Sequence, residues 1–479
     1  MRSPIIIAGQ RVESTGAGDL ELRTRTGEII HAPALDQATV DRILAEPRAQ
    51  LADVPLHEIT AFLHNVGHNW KSKEYTRRRI YERHLCRYYG YSEKMAETEA
   101  NWIALLLSSH YRIYDTLAAE LGSWHIVDDW VAREEAYVRA VPRGRALHIL
   151  PGNVPLSCIA SVIRAIATKN VSIIKASSDD PMTPLALALS FIDTDPVHPV
   201  SRALSVVYWQ GGTEGELERQ LLGDSDVVCA WGGEPAIEWA KRNARAETEV
   251  LAFGPRRSVA VIGRGGDRRK VARALAHDVA MYDQRACFSV QRVFVEDLSD
   301  ELMAEIERAF ALYDTLLPRG RHDFDERADL ALSSLEAEFH GARVVHPDAR
   351  SWSIIVEPPD RERAARHPLG RTLHVHPVAD AAQVVEHVGP DVQTVAVYPA
   401  DLAPRLRDAL ARRGVSRIVE LGMNNVFRVG GAHDGMYPMQ RLVRLVSMEL
   451  PARVAVKGIV VPIDQTTFLE ENRFTEFVP

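Results

Sequence analysis

A chain of 479 residues is too long for one small core and divides into two or three domains. A hydrophobic share of 46%, a charged share of 25% and a net charge of −8 are ordinary for a soluble globular protein and argue against nucleic acid as the main partner. Cys86, Cys158, Cys229 and Cys287 lie far apart, without metal-ligand spacing; neither a metal centre nor a disulfide framework is expected, and reduced thiols suit the cytoplasm.

In chain order, Ile5-Ile6-Ile7 and Leu20-Glu21-Leu22 are short strand candidates, and the first is too short for a signal peptide. No apolar run is long enough to span a bilayer. Residues 36–121 turn helical, with apolar positions recurring at helical spacing over 56–70 and 96–117. Between them Lys71, Lys73, Arg77, Arg78, Arg79, Arg83 and Arg87 form a basic run, which is either an anion site or, more commonly, a solvated helix face.

Strands and helices then alternate. Strands are predicted at 146–150, 171–174, 204–208 and 226–230, and helices at 155–168, 184–191, 214–222 and 235–243. Continuous apolar strands between amphipathic helices imply a parallel sheet covered on both faces, a doubly wound α/β arrangement that takes ligands at its carboxyl edge. A second series has strands at 258–262, 291–295, 352–356, 373–376 and 394–398, with helices at 302–316, 381–388 and 404–413. Residues 319–327 read as charged and exposed, 439–450 as an apolar helix, and 453–461 as an extended strand that needs covering, for instance by another subunit.

Chemistry concentrates at the junctions. Cys287 sits between a helical run and a strand, where a thiol can be aimed into a cleft as a nucleophile; the commoner fate of a free cysteine is packing. Asn153, in the Pro-flanked turn Leu150-Pro151-Gly152-Asn153-Val154-Pro155, can either stabilise an oxyanion or cap the following helix. Lys175, Ser177 and Ser178 close a strand with groups suited to ribose or phosphate. Gly211-Gly212 and Gly232-Gly233 each join a strand to a helix, where backbone N–H groups can approach an anion. Neither is a G-x-G-x-x-G. His433-Asp434-Gly435 offers a proton donor, or a turn and helix cap made by Asp434.

The ordered set resembles the aldehyde dehydrogenase superfamily, and within it the LuxC-type acyl-CoA reductases of bacterial bioluminescence. The residues that carry this run from His148 to Pro155, then Ile174-Lys175-Ala176-Ser177-Ser178, Phe253-Gly254-Pro255-Arg256-Arg257-Ser258, Asp283-Gln284-Arg285-Ala286-Cys287 and His433-Asp434-Gly435. The resemblance implies two doubly wound α/β domains, cofactor-binding (126–257) and catalytic (258–435), a strand-then-helical N-terminal region (1–125) and an oligomerisation tail (436–479). It implies Cys287 as the acylated nucleophile and Asn153 with the Cys287 N–H as the oxyanion hole. It implies dinucleotide contacts from Lys175, Ser177, Ser178, Gly212, Gly232, Gly233 and Gly254.

Two positions depart from the superfamily pattern. Ala252 stands where hydrolytic members carry a glutamate that activates water, so an acyl-enzyme should resist water and be reduced instead. The motif that holds the nicotinamide ribose has no clear counterpart, with residues 367–371 in its place. Ser178, where NAD-selective members often place a glutamate, predicts NADPH, because a carboxylate would repel a 2′-phosphate. The expected activity is NADPH-dependent reduction of an acyl-CoA or acyl-carrier thioester to the aldehyde by a homodimer or homotetramer, with an acyl-transferring synthetase as an implied partner. The alternatives are an oxidative aldehyde dehydrogenase and a cysteine acyltransferase or thioesterase without redox chemistry.

Overall fold

The computed structural model describes residues 1–16, 18–134, 136–211, 215–359 and 367–449. Two seven-stranded sheets organise them. In the first, Glu249–Phe253, Val227–Trp231, Arg145–Ile149, Val171–Lys175 and Leu204–Val207 lie side by side and parallel, and Ile5–Ile7 and Gln10–Val12 add an antiparallel edge. The parallel strands are apolar on both faces because helices cover both. The chain starts at Arg145–Ile149, winds outward through Val171–Lys175 and Leu204–Val207, then returns to lay Val227–Trp231 on the other side. The order therefore reverses between Arg145–Ile149 and Val227–Trp231, and their carboxyl ends open a crevice there.

The second sheet runs Arg343–Val345, Ser353–Val356, Thr372–Pro377, Val290–Val295, Arg257–Ile262, Val392–Tyr398 and Arg417–Glu420, parallel except for its first strand. Phe253 and Arg257 are joined by only three residues, so the amino ends of this sheet begin where the carboxyl ends of the first stop. A third, antiparallel sheet pairs Val443–Glu449 with Ala136–Pro142, which also carries Val131–Ala132. Helices Gln37–Ala45, Leu56–Lys71, Thr76–His84, Glu93–Ser108 and His110–Leu121 share the first sheet's apolar core.

Several expectations change. The helical run over 96–117 is two helices, broken at Ser109 (φ −88°, ψ 62°). Of the helix expected over 439–450, the described residues 439–449 do not form one: after one turn, Pro438–Arg441, the chain extends and pairs over seven positions with Ala136–Pro142, a distant partner that helical periodicity does not reveal. Residues 319–327 are not simply exposed, because helix Phe324–Phe339 starts there on an Asp323/Glu326 capping box and the His322 side chain is buried. Five of the seven residues of the basic run are paired: Arg77 with Asp193, Arg78 with Glu82, Lys73 with Glu97, Arg79 with Glu74 and Arg87 with Glu28. The extended stretch at 453–461 lies outside the described residues. Among the described residues, no helix is long and apolar enough to cross a membrane.

Candidate active site

The loop that carries Cys287 is locked from behind. Tyr282, Asp283 and Gln284 all have positive φ (56°, 47° and 66°), a conformation that costs a non-glycine residue about 1–2 kcal/mol. Opposite them Leu369 and Arg371 are also left-handed (60° and 67°). The two segments hold each other. Arg371 Nε donates to Asp283 Oδ1 at 2.8 Å, Gly320 N–H to Asp283 Oδ2 at 2.9 Å, and Gly370 N–H to the Asp283 carbonyl at 3.2 Å. Gln284 Nε2 donates to the carbonyls of Val290 and Thr372 at 2.7 and 2.6 Å, and its Oε1 accepts from Thr372 N–H at 3.0 Å. Asp283, Gln284 and Arg371 are almost wholly buried. Burial raises the Asp283 carboxyl, but the Arg371 guanidinium and His322 outweigh it and hold the group well below the usual carboxylate range.

Cys287 emerges from this anchor half-buried. Its carbonyl accepts from Ser258 Oγ at 2.7 Å, and the next carbonyl, of Phe288, from Asn424 Nδ2 at 2.7 Å. The protein crowds the thiol: burial first, then the Asp434 carboxylate, push it up to about 12. Hydrogen bonds from Gln393 and from the backbone N–H groups of Cys287 and Phe288 work the other way. The resting sulfur is therefore a thiol at neutral pH.

Across from it, the turn after Arg145–Ile149 presents Asn153. The cap of helix Leu156–Ala167 is Pro155, without a side-chain bond, so Asn153 is not the cap. Its Nδ2 instead donates to the Arg285 carbonyl at 3.0 Å, two residues from Cys287, which leaves its second amide hydrogen for another acceptor. Gly152 permits this approach: a Cβ there would lie 2.4 Å from Asp179 Cβ and 2.8 Å from Ser177 Oγ. Gly152 and Asn153 line a cleft of about 1210 Å³ together with Cys287, Trp231, Gly232, Gly233, Phe253, Gly254, Gly370, Phe427, His433 and Asp434. Trp231 and Phe253 stack at 3.7 Å, and the His433 ring stacks on Phe427 at 5.0 Å. Gly233 is the N-cap of helix Glu234–Asn243, and a Cβ at Gly254 would meet nothing within 4 Å. The lining also includes the apolar side chains Trp102, Leu105, Leu106, Ile113 and Val429.

The structure thus brings Cys287, Asn153, Gly232, Gly233 and Gly254 to one cleft. Lys175, Ser177 and Ser178 are not on its wall. Lys175 ends the neighbouring strand half-buried, Ser177 packs under Gly152, and Ser178 is exposed. Gly212 lies outside the described residues. Ala252 is half-buried against the core, while its neighbours Phe253 and Gly254 face the cleft. His148 is a packed strand residue, bonded to Ser161 and Ser172 and lowered to about 3 by burial. Cys158 and Cys229 are buried.

Sequence reasoning missed two residues. Asp179, beside Ser178, is on the cleft wall. Gln393, 106 positions from Cys287 in a strand, carried no motif. Of the turn and helix cap expected at Asp434, the turn is present and the cap is not, since the cap of Pro438–Arg441 is Tyr437. Asp434 occupies, with Gly435, the two-residue centre of a tight turn (φ 49° and 81°) closed by reciprocal backbone bonds between His433 and Met436, and the Asp-Gly pair was the available signal. Among the described residues, no group of three His, Cys, Asp or Glu side chains is placed to hold a metal ion.

Solved structures define the class. The architecture matches an oxidoreductase from Marinobacter aquaeolei (TM-score 0.73, 15% identity, 93% of this chain and 98% of that one). It matches equally an NADP-dependent glyceraldehyde-3-phosphate dehydrogenase from Bacillus halodurans (TM-score 0.72, 17% identity, 94% and 100%). The fold is that of the aldehyde dehydrogenases. The acyl-CoA reductase (LuxC) family matches residues 51–445, and the chain belongs to that family; it is an oxidoreductase. It is 46% identical over 452 residues to the long-chain acyl-protein thioester reductase of Photorhabdus luminescens (94% of this chain, 93% of the relative). To the Aliivibrio fischeri protein of the same name it is 42% identical over 479 residues, with 99% of each covered.

Proposed function

We propose that the chain reduces a long-chain acyl thioester to the aldehyde through an acyl-enzyme on Cys287, with NADPH as reductant. The observation that carries this reading is the placement of Cys287: on a locked loop, beside Asn153, across a cleft from the glycine turn at the first sheet's switch point. The relatives' names, which specify long-chain acyl-protein thioesters, and the apolar side chains in the cleft lining support a long acyl chain carried by a protein or by coenzyme A.

The residues present fit a dinucleotide. Gly233 caps the N-terminus of helix Glu234–Asn243, Gly232 presents no Cβ beside it while its N–H donates to the Phe253 carbonyl at 3.2 Å, and the open face at Gly254 would be filled by any Cβ. Gly232, Gly233 and Gly254 would hold the dinucleotide, with Lys175, Ser177 and Ser178 toward the adenosine end. Bound NADPH supplies hydride to the acyl carbon. Ser178 is exposed and carries no charge to oppose a 2′-phosphate, and the adjacent Asp179 carboxylate is faced by Arg25, Arg285 and Lys175.

The chain's own residues do the rest. Cys287 attacks the thioester carbonyl and releases the carrier thiol. Asn153 Nδ2 and the Cys287 N–H hold the oxyanion, and one such donor is worth about 3–4 kcal/mol. With alanine at position 252, no carboxylate there activates water against the acyl-enzyme, which favours reduction over hydrolysis. Strand Val443–Glu449, with Leu445 60% exposed at a sheet edge, supports a homo-oligomer. The test is intact-protein mass after mixing with tetradecanoyl-CoA. The adduct should appear on wild type, be absent from Cys287→Ala, and vanish on adding NADPH with release of aldehyde. Loss of the adduct to water alone would point to a thioesterase.

A further inference from the structure

The resting Cys287 thiol must lose a proton before or during attack, and the site needs a group to take it. The usual partner, an imidazole, is a poor candidate here. His433 shares a turn with Asp434, but its Nδ1 faces Arg164 Nη2 at 3.3 Å, and its ring is sandwiched against Phe427 with its edges to Trp231 and Phe253. Burial, Arg164 and Arg417 hold it well below the usual imidazole range.

A carboxylate is better placed. Gln393 is 1% exposed, and its Nε2 donates to Asp434 Oδ1 at 2.6 Å, while the same side chain also acts on the Cys287 thiol and lowers it. Its own Oε1 is buried without a partner. Gln393 is the second residue of strand Val392–Tyr398, next to Thr394, which pairs with Ser258. Ser258 in turn anchors the Cys287 carbonyl. One strand pair therefore fixes both the cysteine backbone and the amide that joins its sulfur to Asp434. The Asp-Gly turn fixes the carboxylate itself, on the wall of the same cleft.

We propose that Asp434 is the proton acceptor for Cys287 and that Gln393 is the positioning residue that joins them; this rests on Cys287 being the acylated nucleophile. The step balances. The Cys287 S–H bond and the substrate's acyl C–S bond break. A new acyl C–S bond to Cys287 and an O–H bond on Asp434 form. The Asp434 proton then passes to the departing thiolate, so the carrier leaves as a neutral thiol and the carboxylate is restored. Burial raises the Asp434 carboxyl, against the pull of Gln393, Arg256 and Arg164, which makes it a stronger base than an exposed aspartate. The charged groups that face the pair are Arg164 from helix Leu156–Ala167, Arg256 from the link between the sheets and Arg417 from strand Arg417–Glu420. Arg417 is lowered only to about 10, and His433 stays neutral, so an acid limb in this step reports the Asp434 carboxyl.

The experiment is the rate of Cys287 acylation by tetradecanoyl-CoA, without NADPH, followed by intact mass from pH 4 to pH 10. Wild type should show an acid limb and then a plateau. Asp434→Asn should be slower by about 10²–10⁴-fold at pH 7, lose the acid limb, and gain about tenfold per pH unit as hydroxide takes over the proton. Asp434→Glu, which keeps a carboxyl group, should retain the limb even if the turn is disturbed. Gln393→Met removes a hydrogen bond that favours the carboxylate, so it should move the limb to higher pH. Asp434→Asn acylating at the wild-type rate, or slowed equally at every pH, would overturn the proposal. So would a pH limb that disappears in His433→Gln instead. If wild type itself is never acylated, the nucleophile reading fails and this one with it.

Discussion

Replacing Asp283 with asparagine keeps the shape of the side chain and removes its charge. Asp283 and the Arg371 side chain are 0% and 1% exposed and meet at 2.8 Å. Breaking a buried pair by removing one charge costs about 3–5 kcal/mol, because the other is left uncompensated. Arg371 retains the Leu317 carbonyl at 2.8 Å and the Asp314 carboxylate at 3.5 Å, which places the expected loss near the lower end, about 3 kcal/mol. If residues 258–435 unfold as one unit, calorimetry should show a Tm lower by about 6–12 °C. The linkage sign follows from the depressed carboxyl. In wild type the pair's contribution is fully present above the unfolded aspartate pKa, about 3.9, and is lost as pH falls below it toward the folded value. The wild-type advantage over Asp283→Asn should therefore shrink only in strong acid. Cys287 acylation should fall as well, because three left-handed residues before the cysteine lose their anchor. A Tm within one degree of wild type at neutral pH would refute the claim that this pair holds the cysteine loop.

Further outcomes follow from the same geometry. Asn153→Ala should slow acylation of Cys287 about 10²–10³-fold in single-turnover mass measurements while tetradecanoyl-CoA binding changes little. Ser178→Glu should lower kcat/KM for NADPH more than for NADH, by like-charge repulsion of the 2′-phosphate; equal preference in wild type would remove the basis for that reading. Gln284→Leu fills a similar volume but abandons the Val290 and Thr372 carbonyls and the Thr372 N–H, and should cost several kcal/mol at about 1–3 per buried group, read as a lower urea midpoint.

Much was legible in the sequence because it was local. Apolar strands separated by helices of ordinary length, such as Arg145–Ile149, Leu156–Ala167 and Val171–Lys175, announce a doubly wound sheet by periodicity alone. Turn chemistry marked the positions of Asn153, Gly232 and Gly233, and the order of those motifs with Cys287 indicated the family to which the chain belongs.

Tertiary structure decided what depends on partners far apart in the chain. Val443–Glu449 is a strand because Ala136–Pro142, some 300 positions earlier, supplies its hydrogen bonds. Gln284, read as part of a cysteine motif, is a buried clamp whose partner, Thr372, is 88 residues away. The Asp434 carboxylate that shares the cleft with the thiol comes from a turn 147 positions later and accepts from Gln393, a glutamine that belongs to no motif. Spacing along a chain encodes helices, strands and turns; which charge faces which sulfur is fixed only when two sheets meet edge to edge.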